Sequence, residues 1–193
     1  MFDLIRADIH RKQEWFLKEK SWLVKNVRVF LEPGTVAVIV YRYGRWARGV
    51  RIPVVKQLLR LLYIPAKAVV VMGFGIYIPS KANIGKGFTI HNFSGIFICE
   101  ATIGENFIVF QNVTVGHLRG QPAPPLLGDN VFLGAGAKVL GSVKIGNNVA
   151  VGANSVVISD VPDSCTVMGV PARIISRETN WITDKLEGRA TNY

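Results

Sequence analysis

Cysteine is scarce: the 193 residues hold two, Cys99 and Cys165. They show no CxxC spacing and no clustered histidine, so no zinc or other metal site is expected. Two cysteines are also far from the density of a disulfide scaffold, which suits a reducing compartment. Both are expected to pack as small apolar residues. The opening MFDLIRADIHRKQEWF lacks the uninterrupted apolar core of a signal peptide. A clean apolar run of about 20 residues, as a membrane span needs, is missing too. The nearest approach, residues 54–72, carries three cations and Pro65. These absences predict a cytoplasmic protein. Hydrophobic content of 49% with 19% charged residues argues against disorder.

What the chain has instead is a six-residue step of isolated aliphatics. Ile78, Ile84, Ile90 and Ile96 share one register, and after one extra residue Ile103, Val109 and Val115 resume it. Beyond a proline-rich interruption come Leu127, Leu133, Val139, Ile145, Val151 and Val157. Glycine follows the aliphatic directly at Gly85, Gly104, Gly116, Gly128, Gly134, Gly146 and Gly152. A step of six drifts around a 3.6-residue turn, so an α-helix cannot use it. The pattern reads as a hexapeptide repeat, in which each unit is one short strand plus a corner and stacked coils share an aliphatic ladder.

Charge is unevenly placed. Residues 1–75 carry 14 Lys/Arg against 5 Asp/Glu, while residues 76–193 carry 9 against 8. The first part reads as an α-helical domain over 1–75, with one or two helices in 3–31 ending near Pro33-Gly34. Another helix is expected over 35–49, with Arg42, Arg45 and Arg48 on one face. Two roles compete for this half: a cap on the open end of the solenoid, or a basic amphipathic surface for peripheral contact with anionic lipid. The cations are interleaved with Leu and Val, and no reader motif occurs, so no nucleic acid is expected.

Departures from a repeat mark function or packing. His91 follows Ile90, where glycine usually sits, and should lie at a corner with an exposed ring. Residues 116–126, GHLRGQPAPPL, hold three prolines and should form a loop leaving the prism. His117 heads that loop. His10 is expected at the surface. Pro162 and Pro171 end the regular repeat, and residues 176–193 read as a polar tail.

The strings IGKGFTIHNFSGIFICEATIGENFIVFQNVTVG, LLGDNVFLGAGAKVLGSVKIGNNVAVGANSVV and GVPARII resemble the hexapeptide-repeat acyltransferases, nearest the serine acetyltransferase branch and its relatives in polysaccharide gene clusters. The resemblance covers residues 76–175 and implies a mainly β fold, a left-handed parallel β-helix behind the helical domain. It further implies a homotrimer, acetyl-CoA as donor, and a histidine general base that lets an acceptor hydroxyl attack the thioester directly. Positions matching Gly116, Ala135, Gly136, Ala153 and Asn154 would line the coenzyme groove, with Pro171, Ala172 and Arg173 near its nucleotide end. Glu100 matches an acid beside the acceptor site.

The same alignment places Asn92 on the catalytic histidine and His91 on the aspartate before it. Pro124-Pro125 replaces an Arg-His pair, and the Arg-Asp-Pro segment that reads serine has no counterpart. The expectation is therefore an O-acetyltransferase acting on a hydroxyl of a sugar or glycan intermediate, with His91 or His117 as base and Asn92 beside the acceptor. A divergent serine acetyltransferase and a non-catalytic repeat scaffold are the alternatives.

Overall fold

A computed structural model describes residues 1–16, 22–121 and 123–178. The expected tail therefore lies largely outside the described residues. Four helices come first: α1 (Phe2–Phe16), α2 (Trp22–Leu31), α3 (Pro33–Gly49) and α4 (Pro53–Ala68), the last running into a π-helical turn at Val69–Gly73. As expected, the helices of this stretch end just before Pro33-Gly34, with α2 closing at Leu31. Pro33 itself begins the next helix, α3, where its missing N–H is no loss and its φ is already helical. Among the described residues no helix is long and apolar enough to cross a membrane.

From Ile76 the chain winds around a three-sided prism. The first face stacks β1 (Ile76–Tyr77), β4 (Ile96–Ile98), β7 (Thr114–Gly116), β10 (Lys138–Leu140) and β13 (Val156–Val157). The second stacks β2 (Asn83–Ile84), β5 (Thr102–Ile103), β8 (Leu126–Leu127) and β11 (Lys144–Ile145). The third stacks β3 (Thr89–Ile90), β6 (Ile108–Val109), β9 (Phe132–Leu133), β12 (Ala150–Val151) and β14 (Thr166–Gly169), with β15 (Ala172–Ser176) antiparallel to β14 at its end. All other pairings are parallel, giving the left-handed parallel β-helix that the resemblance implies.

The aliphatic ladder fills the prism. Ile84, Ile103, Leu127 and Ile145 line one side, and Ile90, Val109, Leu133 and Val151 another, all at most 3% exposed. Register on the first face departs from the sequence reading. Ile98, not Ile96, pairs with Val115, and Ile96 sits over Ile76. The step from Ile90 is thus eight residues, and the step on to Ile103 is five. Both isoleucines are buried, because in the alternating Ile-Phe-Ile of β4 they point the same way. Beyond Val157 the ladder also continues further than expected, through Val161, which bridges to Ile145, and Val167, which pairs with Val151. Pro162 sits at a corner and does not end the stack.

A parallel stack leaves the strand edges of its first coil with unpaired N–H and C=O groups. Helices α1 and α3 supply the partners. Tyr41 Oη donates to Ala82 O (3.0 Å) and accepts from Ile84 N (3.2 Å). Arg42 donates to Ile84 O and Gly85 O, both at 2.6 Å. Asp8 accepts from Phe88 N (2.9 Å), and Lys12 donates to Ile90 O (3.2 Å). Arg42 and Asp8 also pair with each other, through Nε–Oδ2 at 2.8 Å and Nη2–Oδ1 at 3.1 Å, with both side chains almost fully buried. Burial pushes the Asp8 carboxyl above its ordinary range, and the bonds from Arg42, Phe88 and Gly87 pull it back. Burial likewise lowers the Lys12 ammonium, against the opposing pull of Glu32. The face read as simply basic therefore turns Arg42 inward, where it closes the solenoid.

Candidate active site

Three corners join the three faces, and the residues singled out by sequence fall on two of them. The corner leading from the third face back to the first carries His91, Asn92, Ala135, Gly136, Ala153 and Asn154. His91 leaves the end of β3 with its N–H donating to Val109 O (2.7 Å). Its ring, expected to be exposed, is half-buried with Nε2 shielded from solvent, because it stacks on Phe110 with centroids 4.8 Å apart and planes at 23°. Phe110 in turn meets Phe132 edge-on at 5.4 Å. Asn92 turns the corner in the left-handed region (φ 53°) and donates from Nδ2 to Gln111 Oε1 at 2.9 Å. The ring of His91 is thus set by an aromatic column, and Asn92 is tied down beside it.

Two and three coils further along the same edge, side chains shrink. Gly134, Ala135 and Gly136 stack on Gly152, Ala153 and Asn154, with Asn154 N donating to Ala135 O (2.8 Å). A Cβ on Gly136 (φ 74°) would lie 2.1 Å from Asn154 Oδ1. Close coil approach is what excludes larger residues there. The result is a strip of small residues along this edge, with Ala153 and Asn154 exposed.

The corner between the first and second faces holds the other candidates. Glu100 pairs with Lys81 at 3.0 Å, both about half exposed. Gly116 is buried and accepts from Gly141 N (3.0 Å). His117 is exposed at the root of the loop that follows. That loop is pinned back onto the next coil: Ser142 N donates to Gln121 Oε1 (2.6 Å), and Ser142 Oγ to Ala123 O (2.9 Å). Pro171, Ala172 and Arg173 lie in the turn and strand of the β14–β15 hairpin, at the end of the stack. Within one chain, then, His91 and Asn92 share an edge with the small-residue strip, whereas His117 and Glu100 stand on a different edge.

Sequence reasoning passed over Phe110 and Gln111, the partners of His91 and Asn92. The signal was available, since Ile90 and Val109 occupy the same rung and the residues after them must stack. His10 is at the surface, 3.2 Å from Glu14. Cys99 and Cys165 are buried, and burial raises the Cys99 thiol. No cluster of metal-ligating side chains occurs among the described residues.

The bacterial transferase hexapeptide family (six repeats) matches residues 124–159. Over 152 residues the chain is 40% identical to a serine acetyltransferase of Synechococcus elongatus, a match that takes in 75% of this chain and 58% of that one. The structure of a serine acetyltransferase from Neisseria gonorrhoeae superposes with a TM-score of 0.78 at 26% identity, over 100% of this chain and 72% of that one. Another, from Brucella abortus in complex with coenzyme A, gives 0.76 at 27%, over 91% and 67%. The chain carries hexapeptide repeats and is similar to serine acetyltransferases in sequence and fold. It spans little more than half the length of the Synechococcus relative.

In this hexapeptide-repeat protein the departures from the serine acetyltransferase pattern have definite places. Asn92, which the resemblance aligns with the base position, lies on the same edge as the small-residue strip, one residue beyond His91. Pro125 is buried against the prism and Pro124 partly so, on the other edge. Pro124 and Pro125 bring neither an imidazole nor a guanidinium to the end of that loop.

Proposed function

We propose that this chain transfers acetyl from acetyl-CoA to an acceptor hydroxyl, with serine the leading acceptor. The observation that carries the reading is the strip of small residues, Gly134–Gly136 on Gly152–Asn154, on the same edge as a histidine held by stacking. The named relatives support serine. Acetyl-CoA supplies the thioester carbonyl. His91 takes the proton from the acceptor hydroxyl as oxygen attacks, since imidazole titrates near neutral pH and a free hydroxyl is a poor nucleophile. Backbone N–H groups at the corner would hold the developing oxyanion. Because His117 and Glu100 lie on another edge, a site using all of them draws on two copies of the chain, which supports a trimer with the site between neighbours.

The test is thiol release from acetyl-CoA with L-serine as acceptor. His91→Ala should cut turnover by roughly 10²–10⁴-fold with coenzyme A affinity nearly unchanged. His117→Ala and Asn92→Ala are its companions. If His91→Ala and His117→Ala both retain full turnover, neither imidazole is the base and the site is misassigned.

One observation favours a second acceptor. With Pro124-Pro125 in the loop, a free amino acid loses a charge-assisted carboxylate contact of about 1.5–3 kcal/mol. A sugar or glycan hydroxyl needs no such partner. Turnover with a sugar acceptor and none at millimolar serine would replace the first reading with this one. A chain that binds coenzyme A and acetylates neither would be a scaffold.

A further inference from the structure

Helix α4 carries its polar side inward. None of its residues is buried. Val54, Leu58, Leu61 and Leu62 are 61–70% exposed, and beyond its end Val69 and Met72 are 56% and 81% exposed. At the helical repeat these side chains fall within an arc of about 120°. Lys56, Arg60 and Lys67 fall on the opposite side, where they wall a groove of about 720 Å³ against α3 and β1. The Lys67 ammonium sits 5.0 Å from the Tyr77 ring centre and 5.9 Å from that of Tyr63. Arg48 and Lys81 line the same groove. Lys81 is paired with Glu100, but among the described residues Arg48, Lys56, Arg60 and Lys67 have no carboxylate partner. None is close in sequence either: between Glu32 and Glu100 there is no Asp or Glu, against nine Lys and Arg.

Something apolar must cover the outward face, and something anionic suits the cations. A second copy of α4 would satisfy the first need alone, leaving the cations on the far side of each helix without an anionic partner. A bilayer bearing acidic lipid satisfies both. We propose that α4 lies in the interface of an anionic phospholipid membrane. Its outward leucines and valines reach the acyl boundary, and Lys56, Arg60 and Lys67, on the opposite polar side, snorkel to lipid phosphates at headgroup level.

Flotation of the full chain with vesicles tests this, using phosphatidylcholine alone and phosphatidylcholine mixed with phosphatidylglycerol. The chain should float with the mixed vesicles, less so as salt rises, and stay behind with phosphatidylcholine. Leu58→Glu with Leu61→Glu should abolish flotation while leaving the circular dichroism and elution volume unchanged. Substituting an exposed face costs little stability. Lys56→Gln, Arg60→Gln and Lys67→Gln together should weaken partitioning to the acidic vesicles roughly 100-fold. The proposal is overturned if the chain ignores acidic vesicles or if the double glutamate variant still floats. A change of oligomeric state in that variant would also overturn it, by making the face a contact between copies.

Discussion

Asn106, Asn130 and Asn148 stand one above another where the second face turns into the third, all in the left-handed region with φ of 54–57°. Each links to the next, Asn106 Nδ2 to Asn130 Oδ1 and Asn130 Nδ2 to Asn148 Oδ1, both at 2.9 Å. Asparagine tolerates that backbone and also bonds to its copies, which glycine cannot. Asn130→Ala should cost about 2–3 kcal/mol, combining two lost ladder bonds with αL strain, and Asn130→Gly less. Urea unfolding checks the order, and equal losses would mean that strain contributes nothing. Beside this column Gly104 packs on Gly128, and a Cβ there would lie 2.7 Å from the Gly128 carbonyl carbon. Gly104→Ala must therefore push two coils apart. The buried Asp8–Arg42 pair is a different kind of device. Arg42→Met should destabilise by about 3–5 kcal/mol, because it leaves a buried carboxyl without its cation, and adding Asp8→Leu should restore part of the loss. A double variant no better than the single would locate the whole cost in the bonds from Arg42 to Ile84 and Gly85. The corner glycines could be seen in the sequence because their spacing repeats. The pairing of Asp8 with Arg42 could not, because it depends on how two helices meet the first coil.

Among the elements, the loop after β7 is announced by its prolines, but what holds it is not. The Gln121–Ser142 bond joins residues 21 apart in sequence and one coil apart in space. Gln121→Ala should release the loop without touching the ladder. Trypsin should then cut after Arg119, which is already exposed, faster than in the native chain, while the unfolding midpoint hardly moves. An unchanged cleavage rate would show that the prolines alone hold the loop. Strand β4 illustrates where periodicity fails. Ile96 and Ile98 are equally aliphatic and equally buried, so a six-residue count cannot choose between them. The choice is made by stacking on Ile76 below and Val115 above. In the helical part, apolar spacing located the helices, but their orientation came from which backbone groups of the first coil needed partners.

For the whole molecule, the two ends of the stack are closed by unlike means, four helices at one and a hairpin at the other, and the faces between remain flat. Tyr77 and Phe97 stack at 5.0 Å on the outside of the first face, with Phe97 44% exposed. Such a face suits subunit packing, and light scattering should return the mass of three chains. A monomer at micromolar concentration would remove the shared site along with the trimer. The repeating core was legible because every coil states it again. The placing of His91 and His117 on separate edges was not, since it depends on how many residues each corner and loop absorbs.

The uniform coil also makes the prism a ruler. Lys138 and Val156 occupy the same rung of adjacent coils, so deleting residues 138–155 would join Ala137 to Val156 without changing any face. The deletion would bring the hairpin at Pro171–Arg173 nearer to His91 by one graduation, about 4.8 Å. A ligand gripped at both places reads that length directly. Such an excision also takes out Gly152–Asn154, and so should yield a folded chain whose remaining strip holds a ligand shorter by that one coil.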